Sequence, residues 1–243
     1  MKELVSSTSE RMDGSVITDH TRLGDQVEAL LARHSASGMR APLRVLWDFD
    51  GVIADTEPLH DETYRELARR RSHHLEPGYF DELVGRTEQS IWARLIELGF
   101  PAEVDDIDAL MQERQEAYLQ LALETLQPTW VATSMVERFA ARGAEQLIVS
   151  NGDPESIARL LRKWRLDDSL TIAPRTPSED KMEILRRLCV PPVIVIEDNA
   201  RFLEAARQAG AMTVAVQNSF NVSQRLEADI VASIVPGREE AIV

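Results

Sequence analysis

The 243-residue sequence predicts an α/β protein with a mostly parallel sheet core and an inserted α-helical domain. Three observations predict it. Short apolar runs of strand length alternate with amphipathic helical patterns, the rhythm of a parallel sheet covered on both faces. Several of these runs end in clustered polar residues. One long stretch between the first run and the second has helical periodicity only.

The elements follow in order. Residues from Met1 to about Leu23 are rich in Ser, Thr and Asp without periodicity and predict a mobile tail. Val27, Leu30 and Leu31 share a helical face, so Asp25 to His34 predicts a short helix, followed by a linker at residues 35–38. The first strand is Val45-Leu46-Trp47. Further strands are predicted at 146–150, 170–173, 193–197 and 213–216, with a weaker one at 229–231. Helical patterns between them cover 135–142, 155–165, 179–188 and 201–209. Asp153-Pro154 is a helix start, with a capping acid and proline at the first position, and Ser178 is placed to cap the third of these helices. From Glu57 to Leu126 the patterns are helical only, at 59–71, 77–83, 88–98 and 104–126. The expected organisation is therefore a tail and short helix over 1–40, a core of 41–56 with 127–243, and a helical cap of 57–126. The insertion point lies beside the end of the first strand, so the cap is expected over the strand ends where open α/β sheets bind ligands.

Composition narrows the function. A net charge of −14 argues against nucleic acid or an anionic membrane as partner, because both need clustered Lys and Arg. It leaves room for a phosphate substrate, since a metal ion and a lysine can reverse the field locally. The single cysteine, Cys189, lies in a helical pattern with no nearby histidine and cannot form an intrachain disulfide, which fits a reducing, cytoplasmic setting. No apolar run approaches membrane-spanning length, and the acidic N-terminus has no secretory signature.

The chemistry concentrates at strand ends. In Trp47-Asp48-Phe49-Asp50-Gly51-Val52, two carboxylates one residue apart follow an apolar run and precede a glycine. Like charges so placed repel and raise one pKa. A divalent cation, or a division of labour between nucleophile and proton carrier, resolves the conflict. Val149-Ser150-Asn151-Gly152 ends a second strand in a hydroxyl and an amide, although the same residues make an ordinary turn. Lys181 occupies the first turn of a helix, a poor place for a cation unless an anion lies near. Val193-Ile194-Val195-Ile196-Glu197-Asp198 is an uninterrupted apolar strand that empties into two acids. Burying adjacent carboxylates there is costly without a cation.

These residues, taken together, resemble the haloacid dehalogenase-like superfamily, with its four motifs in order at Asp48-Phe49-Asp50-Gly51-Val52, Ser150-Asn151, Lys181 and Glu197-Asp198. Asp55-Thr56-Glu57-Pro58-Leu59-His60 and the helical insertion are similar to the subgroup that contains β-phosphoglucomutase and phosphoglycolate phosphatase. The resemblance implies a Rossmann-like core. It implies a magnesium-dependent phosphatase acting on a small phosphorylated metabolite, such as a sugar phosphate or phosphoglycolate, through an aspartyl-phosphate. It also implies roles: Asp48 as nucleophile, Asp50 as proton carrier, and Lys181 as a catalytic, phosphate-holding cation. Gly51, Ser150 and Asn151 would join Lys181 at the phosphate. Mg2+ would be held by Asp48, the Asp50 carbonyl and Asp198, with Glu197 beside them. In the insertion, Gly85-Arg86-Thr87 resembles a substrate-facing loop, and His60, Tyr64 and Arg86 are candidate substrate contacts, a solvated helix face being the alternative for each.

The chain departs from the family pattern at two points. Phe202 stands where many members of the family it resembles place Asp or Gly, which removes one possible metal ligand or close backbone approach; Met182 follows Lys181 where proline is usual, so Arg175 competes for the lysine's role. A phosphomutase is the alternative activity, and a non-catalytic phospho-ligand binder a further one. The strand ending in Glu197-Asp198 also looks like the opening of a phospho-receiver domain, but no lysine follows Lys181 to complete one. Oligomeric state is not legible.

Overall fold

Six strands form one sheet in the computed structural model, which describes residues 16–35, 42–79, 83, 87–176 and 178–235. They are β1 (Arg44–Trp47), β2 (Glu145–Ile148), β3 (Thr171–Ile172), β4 (Val193–Glu197), β5 (Met212–Gln217) and β6 (Ile230–Ser233). Their order is β3-β2-β1-β4-β5-β6 and every pairing is parallel. Parallel neighbours require crossovers, and helices supply them. Helix α5 (Trp130–Ala141) precedes β2, α6 (Pro154–Trp164) joins β2 to β3, α7 (Lys181–Leu188) joins β3 to β4, and α8 (Ala200–Gln208) joins β4 to β5. The order reverses at β1: β2 and β3 lie to one side, and the chain then returns to lay β4 on the other. Arg44 pairs with Val193 and Trp47 with Ile196, so the ends of β1 and β4 emerge side by side at that reversal. This is where open α/β sheets bind ligands.

Both faces of the sheet are covered, which explains the continuous apolar runs. Leu46, Leu147, Val149, Val193 and Val195 pack with Ile184 and Leu185 of α7 and Ala206 of α8. Trp47 meets Phe139 of α5 edge-on at 6.1 Å. The indole Nε1 donates to Gln146 Oε1 at 3.1 Å, and Gln146 Nε2 donates to the Val136 carbonyl at 3.0 Å, so this buried amide is satisfied. Cys189 is a core residue whose thiol burial pushes up to about 11.

The N-terminal region differs from expectation. Residues 16–23 belong to the fold rather than to a tail: Ile17 forms a parallel bridge to Ala232, donating to the Val231 carbonyl and accepting from Ser233, each at 2.8 Å. Helix α1 runs His20–Ser35, beginning five residues before the expected Asp25. Leu23, Val27 and Leu30 are buried, and Glu28 pairs with Arg142, the residue that follows α5. Polar composition hid this segment because only Ile17 and Leu23 are buried apolar residues within it. Residues 1–15 lie outside the described residues.

Residues 55–127 form a second compact unit, the remainder forming the first. The second unit consists of α2 (Glu57–Arg70), α3 (Glu88–Glu97), a 3-10 turn at Val104–Asp106 and α4 (Ile107–Thr125). Its core includes Tyr64, Leu67, Trp92, Leu95, Phe100 and Leu110. Trp92 contacts Tyr64 and Phe100 at ring separations of 5.0 and 5.2 Å. The helix expected at 77–83 is not there among the described residues: Pro77 to Tyr79 and Leu83 are in turns, and Gly78 has φ +79°. Pro-Gly set the local conformation where apolar spacing had suggested a helix. Ser178 is likewise not the cap of α7. That helix begins at Lys181 and is capped by Asp180, whose side chain accepts from Glu183 N while Glu183 reaches back to Asp180 N. No helix among the described residues is long and apolar enough to cross a membrane.

Truncating Leu23 to alanine tests whether α1 is part of the folded core. A fully buried leucine is expected to cost about 2–5 kcal/mol on removal, measured by urea denaturation of the full chain; a change near zero would make α1 a dispensable appendage.

Candidate active site

The first strand hands the chain to a tight turn that places two acids in different surroundings. Asp48 N–H still donates to the Ile196 carbonyl at 2.9 Å, so the residue stays tied to β4, and its Oδ1 accepts from Phe49 N at 2.7 Å. The Phe49 carbonyl then accepts from Ile53 at 2.9 Å and Ala54 at 3.1 Å, while Gly51 N donates to the Ala54 carbonyl at 2.8 Å. Gly51 sits at φ +71°, and a Cβ there would lie 2.4 Å from Asn218 Nδ2 and 2.5 Å from Asp198 Oδ2. Only glycine fits both the conformation and the space.

Asp48 faces β4 and α7. Lys181 Nζ lies 2.7 Å from Asp48 Oδ2 and 2.8 Å from Glu197 Oε2, and the lysine is 5% exposed. Burial alone would lower the Lys181 pKa; Asp48 and then Glu197 outweigh it and raise it, so the ammonium stays charged. The centre of the Phe202 ring lies 4.5 Å from the same Nζ, a cation–π contact. Asp48, Glu197 and Asp198 each offer an oxygen within 4.8 Å of the others. Glu197 is driven well above the usual carboxylate range by burial first and by Asp48 second. Asp198 is pushed up to about 6, again by burial first and Asp48 second. Three carboxylates against one ammonium leave negative charge in excess, and an all-oxygen set of this kind fits a hard divalent cation such as magnesium.

Asp50 is held apart from this cluster, on the β2 side. Ser150 Oγ donates to Asp50 Oδ2 at 3.3 Å and accepts from Gly152 N at 2.8 Å. Asp50 was expected at the metal through its backbone carbonyl, and its carboxylate is not among the three clustered ones. Asn151 is exposed at the same strand end, as is Arg175 after β3. Arg175 lines a cavity of about 280 Å³ with Ser150, Gly152 and Ile184, whereas Lys181 is the cation placed between the acids.

Two asparagines escaped the sequence analysis. Asn218, directly after β5, donates through Nδ2 to Asp198 Oδ2 at 2.7 Å and to the Gly51 carbonyl at 3.5 Å. Asn221 Nδ2 donates to the Asp198 and Val216 carbonyls, both at 2.9 Å. The signal was present: Val214-Ala215-Val216-Gln217-Asn218 is another apolar run ending in amides, the pattern that singled out Ser150-Asn151.

The helical-unit candidates divide. Tyr64 is 2% exposed in the core of that unit, which removes it as a substrate contact. His60 is half-buried, stacks on Tyr118 at 4.8 Å and has Nδ1 3.3 Å from Arg114 Nη1. Burial first, then the Arg114 charge, lowers its pKa to about 4, so the ring is neutral at physiological pH. Arg114 is itself fixed by Glu88 at 2.5 and 2.9 Å. Arg86 lies outside the described residues.

The chain belongs to the haloacid dehalogenase-like hydrolases, whose family profile matches residues 44–210. It is 25% identical over 205 residues to the phosphorylated carbohydrates phosphatase of Thermotoga maritima, covering 79% of this chain and 94% of that protein. It is 27% identical over 184 residues to the fructose-1-phosphate phosphatase YqaB of Escherichia coli, covering 71% and 95%. Among solved structures, a Thermotoga maritima protein assigned as a β-phosphoglucomutase superposes with a TM-score of 0.65 at 24% identity, covering 81% of this chain and 95% of that one. That last likeness concerns the fold.

Removing the ammonium should expose the charge imbalance. Lys181→Met leaves buried carboxylates uncompensated, an expected loss of about 3–5 kcal/mol at neutral pH in the metal-free protein. Glu197 has a folded pKa above its unfolded one, so its contribution to stability is present at acid pH and lost as pH rises. The Lys181→Met deficit should therefore shrink on acidification, read by denaturation with EDTA on both sides of neutrality; a deficit that grows toward acid contradicts this electrostatic account.

Proposed function

We propose that this protein is a magnesium-dependent phosphatase that hydrolyses a small phosphorylated metabolite, of the sugar phosphate or phosphoglycolate class, through a phosphorylated Asp48. The observation that carries the reading is the separation of the two acids after β1. Asp48 lies against Lys181 and the Glu197–Asp198 pair, and Asp50 lies against the neutral hydroxyl of Ser150. A nucleophile and a proton carrier need that division. The two phosphatase relatives support it, one named for phosphorylated carbohydrates and the other for fructose 1-phosphate. The phosphomutase alternative has only a fold-level likeness behind it.

The residues divide the work as follows. Asp48 attacks phosphorus in line with the leaving oxygen, and positioning substitutes for intrinsic nucleophilicity. Asp50 gives its proton to the leaving alcohol as the P–O bond breaks. It then takes a proton from the water that attacks the aspartyl-phosphate, which frees inorganic phosphate and restores Asp48. Lys181, with Ser150, Asn151 and the Gly51 turn, would hold the phosphoryl oxygens as charge develops on them. Asp48, Asp198 and the Asp50 carbonyl would hold magnesium, with Glu197 beside them. The cation when bound supplies charge neutralisation to the transferring phosphoryl group. In the helical unit, neutral His60 and Arg86 are the proposed substrate contacts.

A panel of phosphate monoesters assayed for released phosphate with magnesium tests the activity, and EDTA should abolish it. Asp48→Asn should leave no detectable turnover, and Asp50→Asn should lower kcat by about 10²–10⁴; retained activity in the first removes the nucleophile, and in the second the proton carrier. Asp198 must be ionised to bind a cation, and its pKa is raised to about 6. The magnesium concentration for half-maximal activity should therefore rise as pH falls through about 6 and level off above it.

A further inference from the structure

We propose that Asn218 is a positioning residue for the cation site, holding Asp198 by one carboxylate oxygen and tying it to the Asp50–Gly51 turn. The proposal rests on the reading of Asp198 as a cation ligand. Asn218 is 0% exposed, and all four hydrogen-bonding capacities of its side chain are used. Nδ2 donates to Asp198 Oδ2 and to the Gly51 carbonyl, at 2.7 and 3.5 Å. Oδ1 accepts from Phe220 N at 3.0 Å and Asn221 N at 3.1 Å. Two acceptors on one side and two N–H donors on the other leave a single orientation for the amide. Flipped, it would set oxygen against a carboxylate and lose both N–H partners.

Asn221 locks the arrangement from below. Its Oδ1 accepts from Asn218 N at 2.9 Å, and its Nδ2 bonds the backbone carbonyls of Asp198 and Val216. The side chain of Asp198 and its backbone carbonyl are thus held by two interlocked amides from the end of β5. The chemistry of an amide matters here. A lysine in that place would neutralise the carboxylate and weaken its hold on a cation; an amide fixes one oxygen and leaves the charge intact. The close approach also accounts for Gly51, because any Cβ would strike Asn218 Nδ2 and Asp198 Oδ2. Asn218 therefore links a cation ligand on one strand tip with the turn that carries Asp50 on another. Groups that orient ligands in this way typically contribute about 10–100-fold to metal affinity.

Calorimetric titration of magnesium chloride into the full, metal-free chain tests this. The dissociation constant should rise about 10–100-fold in Asn218→Ala. Thr213→Val is the control for general damage: Thr213 is equally buried on β5 and bonds Asp229, away from the site. It should lose stability and keep its magnesium affinity. Should Asn218→Ala fail to fold, Asn218→Ser, too short to reach Asp198, gives the same reading. Unchanged affinity at position 218, or an equal loss in Thr213→Val, overturns the proposal. A parent protein that binds no magnesium would instead overturn the cation site itself, so the two failures are distinct.

Discussion

A buried ammonium set between two buried carboxylates is the constraint on which this structure turns. Burial opposes the charge on Lys181, and the two carboxyl groups beside it, Asp48 first, are what keep the ammonium charged. The three groups come from three elements, so their meeting depends on the sheet order. Register between β1 and β4 puts Asp48 beside the end of β4, and the return of the chain through α7 brings Lys181 across. A slip of one residue in β1 would turn the apolar set of that strand to the wrong face and break the triad together.

The same balance shows why a lysine at the start of α7 is stable. The helix dipole opposes a cation there. Asp180, as N-cap, and the acids at the strand tips reverse the local field, and the Phe202 ring covers the ammonium from the α8 side. In sequence, Phe202 looked like a departure that removed a possible metal ligand, and the missing proline after Lys181 like one that weakened the lysine's assignment. In the fold, the phenylalanine is one of the groups that holds the lysine in place.

How far the sequence could be read follows from the range of each signal. Strands and helices of the core were legible because burial on two faces leaves uninterrupted apolar runs, as in Val193–Ile196. Ser150 and the Glu197-Asp198 pair were legible because such runs end in polar residues. What failed was short or depended on distant partners. Ile17 is one apolar residue whose meaning comes from Ala232, more than two hundred positions away. Pro77-Gly78 outvoted an apolar spacing. Asn218 reads as a turn residue until Asp198 and Gly51 are beside it. Tyr64 lies on the same helix as His60, and only packing reveals that its ring meets Trp92 in the core.

Separation of Asp50 from the charged triad has its own logic. A carboxylate that must both give and take a proton needs an environment that favours neither state strongly. Beside Lys181 it would be held ionised and would make a poor acid; inside the Glu197 cluster it would be held protonated and make a poor base. The hydroxyl of Ser150, at 3.3 Å from Asp50 Oδ2, is a neutral neighbour. The turn that follows Asp48 achieves this by spending one residue, Phe49, to carry the chain from the β4 side to the β2 side, and by requiring glycine at position 51 so that the turn can close against Asp198. The spacing Asp-x-Asp-Gly is then a geometric necessity: one residue fewer would put both acids in the same field, and any side chain at position 51 would push them from the strand tips.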